Sequence, residues 1–152
     1  MARTASPPTH ARRRRASSPR AALTLALVAV AGCAGPPSET ADARGAVETL
    51  LHACADDEPN VALESLTEPA HAAFFRGAET AESCAEALGL ELGSLSPEEA
   101  ALAFEEAGIP EVEVGDGSFG SAIVEVAGRR SEVEVELVGG RWLVNNPAVP
   151  TD

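Results

Sequence analysis

The sequence contains no lysine, and its positive charge is concentrated at the N-terminus. Its 152 residues include 11 arginines and 24 aspartates and glutamates, which give a formal net charge of −13. Six arginines lie in the first twenty residues, whereas every carboxylate side chain lies at or after Glu39. From Cys33 onward, five arginines stand against 24 carboxylates, a net charge of −19 that repels phosphate backbones. This imbalance excludes nucleic-acid binding by that part of the chain.

Aromatic residues are also scarce. The sequence has no tyrosine, one tryptophan and four phenylalanines, although 45% of its residues are hydrophobic. We therefore predict a lean core built largely from alanine and valine. The five aromatic residues are expected in that core, and they are the side chains large enough to line a pocket. They are Phe74, Phe75, Phe104, Phe119 and Trp142.

No long hydrophobic run is present. The uncharged apolar stretch 21–31 has eleven residues, and a helix of that length reaches roughly 16 Å, about half the thickness of the hydrocarbon core of a bilayer. It is therefore too short for a membrane span. A basic segment precedes it and small residues follow it, which is the arrangement of a signal peptide.

The segment after this stretch, Val30-Ala31-Gly32-Cys33, resembles the lipobox of bacterial lipoproteins. The resemblance implies a diacylglycerol thioether on Cys33, further acylation such as palmitate, cleavage before Cys33, and a lipid anchor on the extracytoplasmic face of the cell membrane. Ordinary secretion with cleavage after Ala31 is the alternative. The run Arg12–Arg15 leaves the export route open between the general secretory and twin-arginine systems.

The cysteine count agrees with this interpretation. Lipidation of Cys33 leaves Cys54 and Cys84, which we expect to form a disulfide outside the cytoplasm. Closing a loop of about 31 residues stabilises a fold by roughly 3–4 kcal/mol. Two cysteines 30 residues apart, with no CxxC motif and no spaced histidines, do not indicate a metal site.

These features predict four segments. Residues 1–32 are a signal peptide, and residues 33–44 are the lipidated cysteine with a flexible tether that contains two adjacent prolines and no apolar periodicity. From Ala34 to Arg44 that tether spans at most about 35 Å. Residues 45–147 form the folded domain, and residues 148–152 form a tail.

Helical signals occupy the first half of the domain. Apolar residues at helical spacing predict a helix from Gly45 through Cys54, followed by a short helix capped by Asn60 and helical stretches at 70–76 and 81–90. Ser96-Pro97-Glu98-Glu99 carries a capping box with proline at the first helical position. It predicts a helix over 97–107 that Gly108 ends in a left-handed conformation.

After Pro110 the hydrophobic period changes to two. Valines alternate with glutamates, and glycine-containing turns at 115–117, 128–130 and 139–140 separate four strands. The pattern predicts an α+β domain in which N-terminal helices pack on one face of a curved antiparallel four-stranded meander. Valines would then face inward and five glutamates outward. These glutamates are Glu111, Glu113, Glu132, Glu134 and Glu136.

This order of elements resembles the nuclear transport factor 2-like (SnoaL-like) superfamily, and within it the small exported lipoproteins of actinobacterial type. The similarity lies in residues 46–51 leading to Cys54, in 66–70, in 83–88 and in 140–147. It implies a cone-shaped α+β fold with a pocket between helices and sheet, and no established activity. Enzymes of the superfamily place an acid, a base and often a tyrosine inside the cone. With no tyrosine and outward glutamates, we expect no catalytic residues here.

Three further motifs have simpler interpretations. Residues 115–120 spell GxGxxG, but a strand rather than a helix follows, so a hairpin turn is predicted. The acidic run 56–58 precedes a proline and lacks calcium-loop spacing, which favours a helix end. His52 and His71 accompany no GxSxG motif. We therefore expect no metal and no cofactor.

The sequence as a whole favours a non-catalytic binding or accessory module of the cell envelope. Its expected partners are the membrane, through the lipid on Cys33, and a protein of the envelope, while the small ligand is unidentified. The alternatives are a carrier of a small apolar ligand or a minor enzyme, either using the cone cavity, and a structural spacer with a filled cone. An inward carboxylate or histidine beside empty volume would distinguish among them.

Overall fold

Residues 39–115 and 117–148 are the part of the chain that the computed structural model describes. They belong to the second of two units into which the chain divides, Ala34–Asp152. The predicted signal peptide, the lipobox with Cys33, and the last four residues lie outside the described residues.

Within the described ranges, helices come first and strands follow. The helices are α1 (Glu39–Ala55), α2 (Pro59–Glu64), α3 (Glu68–Phe74), α4 (Thr80–Leu88) and α5 (Pro97–Glu105). The strands are β1 (Gly108–Val114), β2 (Phe119–Val126), β3 (Arg129–Val138) and β4 (Arg141–Asn145). They form one antiparallel sheet in the order β1-β2-β3-β4, and the helices pack on it. The predicted α+β class is confirmed.

Helix α1 begins at Glu39, six residues before the predicted start at Gly45. Glu39 and Asp42 place negative charge in its first turn, where the helix dipole favours it. Ala43 is fully buried, and the Arg44 guanidinium donates a 2.7 Å hydrogen bond to the carbonyl oxygen of Ile109. Residues 39–44, expected in the tether, are therefore helical, and Ala43 and Arg44 pack against the rest of the domain.

Two expectations about helix ends are wrong. Helix α2 starts with Pro59, which needs no partner for an N–H group, and Glu58 occupies the N-cap position expected of Asn60. Gly108 adopts no positive φ. Helix α5 ends at Glu105, and the chain turns through Ala107, whose N–H bonds to the Phe104 carbonyl oxygen, directly into β1.

The β2–β3 and β3–β4 hairpins have two-residue turns with positive φ at both positions, as type I′ turns require. Val138 pairs with Arg141, and the intervening Gly139 and Gly140 have φ of 59° and 83°, which agrees with the predicted turn. The preceding turn lies one residue earlier than predicted. It is formed by Ala127 and Gly128, because Arg129 already pairs with Val126 in the sheet.

Alternation along the strands produces one buried and one open face. Valines and one alanine point toward the helices and are buried: Ala122, Val124, Val126, Val133, Val135 and Val144. The glutamates predicted to face outward are exposed at Glu111, Glu113, Glu132 and Glu134 and half-buried at Glu136. The structure thus confirms the predicted assignment of the two sheet faces.

Cys54 of α1 and Cys84 of α4 lie at disulfide distance. Their sulfur atoms are 2.03 Å apart and their Cα atoms 6.0 Å apart, across 30 residues of sequence. Both side chains are buried. The predicted pairing is confirmed, and it fastens α4 to the C-terminal end of α1.

Candidate functional site

The five aromatic side chains predicted to line a pocket are dispersed. Phe74 and Phe104 are buried in the core, whereas Phe75 and Phe119 are 70% and 61% exposed. Trp142 is half-buried and lines a surface groove. The structure brings together only Phe74 and Phe75, whose rings meet edge to face with centroids 6.1 Å apart.

A different set of residues surrounds a cavity of about 560 Å³ between α4, the connection 89–96 and the start of α5. We call this cavity the acidic groove. Its volume falls within the range of about 300–1,000 Å³ that is typical of ligand pockets. Its lining residues are glutamate, leucine, alanine, glycine and proline.

The floor of the acidic groove is apolar. Ala85, Leu90 and Ala100 are buried there, and Leu92 and Leu95 extend the apolar surface toward solvent. Local sequence positions this floor. Gly89 ends α4 in the left-handed conformation, and the N–H of Leu90 then bonds to the Ala85 carbonyl oxygen at 2.8 Å. That bond turns the chain back across the end of α4.

The rim of the acidic groove is formed by carboxylates. Glu82 and Glu86 follow the i, i+4 spacing that places side chains on one face of α4, Glu79 is the N-cap residue of that helix, and Glu91 lies in the connection. All four are exposed. Glu82 accepts a 2.8 Å hydrogen bond from the N–H of Ala78. None of the four forms an ion pair within the described residues.

A smaller cleft of about 190 Å³ adjoins the acidic groove and shares Glu79 and Pro97 with it. Cys54 and Asp57 line this cleft at the C-terminal end of α1. Asp57 has a φ of 56° and accepts a hydrogen bond from the Thr80 hydroxyl. This bond and the disulfide therefore both join the C-terminal end of α1 to α4, beside the acidic groove.

A second groove, of about 590 Å³, lies at the opposite end of α1. Glu39 and Asp42 line one side, and Trp142 and Arg141 of β4 line the other. The Arg141 guanidinium donates a 3.4 Å hydrogen bond to the Glu64 carbonyl oxygen. This groove carries both signs of charge, so it is electrostatically distinct from the acidic groove.

The start of α5 borders the acidic groove and is fixed by the predicted capping box. Ser96 Oγ accepts a 3.3 Å bond from the Glu99 N–H, and the Glu99 carboxylate accepts a 2.8 Å bond from the Ser96 N–H. Hydrogen bonding to the charged carboxylate, first from the Ser96 backbone N–H and second from the Ser96 side chain, holds the pKa of Glu99 below its ordinary value.

Neither histidine enters the layer between helices and sheet. His52 is exposed, and the half-buried His71 ring bonds to the Leu63 carbonyl oxygen at 2.9 Å. The buried polar residues of the described ranges are Ser65, Thr67, Thr80, Ser83 and Asn146, with no carboxylate among them. No group of three candidate metal ligands occurs within these ranges.

The acidic groove is not among the features predicted from the sequence. The signal in the sequence is a set of closely spaced glutamates, Glu79, Glu82 and Glu86, with no arginine among them. Three leucines follow, at Leu90, Leu92 and Leu95. The signal is weak, because an exposed glutamate row on a helix is ordinarily a solvated surface. The packing of α5 beside α4 converts it into a groove.

Comparisons with protein families, with curated proteins and with solved structures found no match to this chain. Across the residues that the structure describes, no helix combines the length and apolarity that crossing a bilayer requires.

Proposed function

We propose that this protein is a non-catalytic binding or accessory module of the cell envelope, held on the extracytoplasmic face of a membrane by a lipid on Cys33. The observation that supports binding is the acidic groove, an open cavity of about 560 Å³ with an apolar floor and a carboxylate rim. Serine, cysteine, histidine and arginine are all missing from its described lining. Such a lining offers an apolar binding surface bordered by negative charge.

The finer fold assignment is part of this proposal. Helices packed on one face of a four-stranded antiparallel sheet are compatible with the nuclear transport factor 2-like superfamily and its cone shape. The ligand-binding position proposed here differs from the cone interior, because the acidic groove lies between α4 and α5 rather than between helices and sheet.

The anchor is tested by expressing the full chain and its Cys33→Ser variant in a bacterium that processes lipoproteins, followed by membrane fractionation and intact mass measurement. The unaltered chain is expected in membranes, with a mass that matches acylation and cleavage before Cys33. The Cys33→Ser variant is expected in the soluble fraction. A Cys54→Ser/Cys84→Ser variant, which keeps Cys33, serves as the control and stays in membranes. Unchanged sedimentation of Cys33→Ser, or an intact N-terminal Met1, would contradict the anchor.

A further inference from the structure

We propose that the acidic groove binds a basic peptide segment whose cationic side chains alternate with apolar ones. The inference rests on the proposed binding function and names the class of partner. Two properties of the groove specify the ligand: a rim of four glutamates and a floor of alanine and leucine side chains. A ligand that is only cationic would leave the apolar floor without a contact, and a ligand that is only apolar would leave the glutamate rim without one.

No arginine of the chain from Cys33 onward lines the acidic groove. The five arginines of this part lie at positions 44, 76, 129, 130 and 141. Arg130 pairs with Glu125 at 2.8 Å, and Arg44 bonds to the Ile109 carbonyl oxygen. The rim glutamates form no ion pair within the described residues, and a cationic partner is complementary to them.

Glu82 and Glu86 lie four residues apart on α4, about 6 Å of helix rise, and Glu79 is the extended N-cap residue just before the helix. An extended peptide places alternate side chains about 6.6–6.8 Å apart on one face. Two or three arginine side chains of such a peptide can reach these carboxylates, and the methylene stems of arginine are themselves compatible with an apolar floor.

The floor of the acidic groove separates this partner from a simple polycation. Leu95 is 39% exposed and Leu92 is half-buried, so both offer apolar surface to a ligand. The groove contains no aromatic ring and no neutral hydrogen-bonding side chain. Ion pairs at the rim and apolar burial on the floor are therefore the side-chain contacts that the groove offers, and an alternating basic and apolar segment provides both.

The test uses the full chain, purified from whichever fraction of the producing cells contains it. A fluorescent nine-residue peptide of alternating arginine and leucine is titrated with protein, and its anisotropy is measured. A peptide with glycine in place of leucine, and spermidine as an unlabelled competitor, separate apolar recognition from charge alone. We expect the arginine and leucine peptide to bind, its affinity to decrease as salt increases, and the glycine peptide and spermidine to bind more weakly.

Matched variants locate the binding surface. Glu86→Gln/Glu91→Gln removes two rim charges and is expected to weaken binding about fivefold, because an exposed ion pair contributes roughly a two- to fivefold effect. Glu132→Gln/Glu134→Gln removes the same charge from the open sheet face and should leave affinity unchanged. Leu95→Ala removes floor surface and should weaken binding, whereas Leu102→Ala, at a 54% exposed position outside the groove, should not.

Three results would overturn the inference: no binding up to about 1 mM peptide, equal losses in the groove and sheet-face variants, or spermidine or glycine-peptide affinity equal to that of the leucine peptide. These outcomes are independent of the anchor. Membrane retention without peptide binding would refute the inference and leave the anchor in place. Groove-specific peptide binding by a chain that is never lipidated would support the inference and refute the anchor.

Discussion

Removing the disulfide should be the most damaging covalent change to the described domain. Cys54 and Cys84 are buried, and their bond closes a loop across 30 residues of sequence. In the chain-entropy model, a loop of that length restricts the unfolded state enough to stabilise the fold by about 3–4 kcal/mol. Typical domains are stable by only about 5–15 kcal/mol, so this bond supplies a substantial part of the total. Cys54→Ala/Cys84→Ala should lower the free energy of unfolding by at least that amount, since it also removes two buried side chains.

Urea unfolding with and without reductant measures the effect. The unaltered protein should lose about 3–4 kcal/mol on reduction, whereas the double variant should be insensitive to reductant. The single variant Cys84→Ala, which keeps one thiol, provides the control for side-chain truncation without a cross-link. The reasoning fails if thiol titration of the native protein finds both Cys54 and Cys84 free, or if reduction leaves the unfolding midpoint unchanged.

Three further predictions concern stability. Asn146→Ala removes the hydrogen bonds that the Asn146 side chain donates to the Leu88 carbonyl oxygen at 2.7 Å and to the Ser131 hydroxyl at 3.1 Å. It should lower the free energy of unfolding by about 2–3 kcal/mol, measured by thermal unfolding. A decrease below about 0.5 kcal/mol would contradict this prediction. Gly77→Ala places a Cβ 2.3 Å from a backbone nitrogen of α4 and should cost about 1–3 kcal/mol, whereas Gly45→Ala, in open space within α1, should gain about 0.5–1 kcal/mol. The lowered pKa of Glu99 means that its contribution is present above the unfolded-state pKa and is lost as pH falls through the folded-state pKa. Glu99→Gln should therefore flatten the acid limb of the stability profile, and a profile equal to that of the unaltered protein would refute this assignment.

Local chemistry made some elements predictable from sequence. The start of α5 depends on contacts within four residues, Ser96 to Glu99, so the sequence pattern contained all the information needed. The sheet faces depend on alternation alone, which valine and glutamate display plainly. The same alternation also bears on Phe119, which shares a face with Ser121 and Ile123 rather than with buried Ala122. The same alternation therefore predicts that Phe119 lies on the open face of the sheet, not in a pocket.

Features that depend on distant contacts were not predictable in this way. The first turns of α1 are held by the bond from Arg44 to a carbonyl 65 residues away, and by burial of Ala43. Neither is visible in a local window with little apolar periodicity. The acidic groove likewise exists because α5 packs beside α4 and Gly89 turns the connection back across the helix end. Its rim is periodic in sequence, but its depth is a property of tertiary packing.

The acidic groove has a competing physical explanation, which is that its glutamates only keep an apolar surface hydrated. Charged rims do protect exposed apolar patches from association. Under that explanation, however, the position of the charge is unimportant, since the open sheet face is acidic as well, at Glu132 and Glu134. Equal charge removal from the two surfaces would then reduce solubility equally and change peptide affinity equally. Recognition instead requires that the carboxylates act together with the leucine floor, so that only loss of the rim, or of Leu95 beneath it, weakens binding.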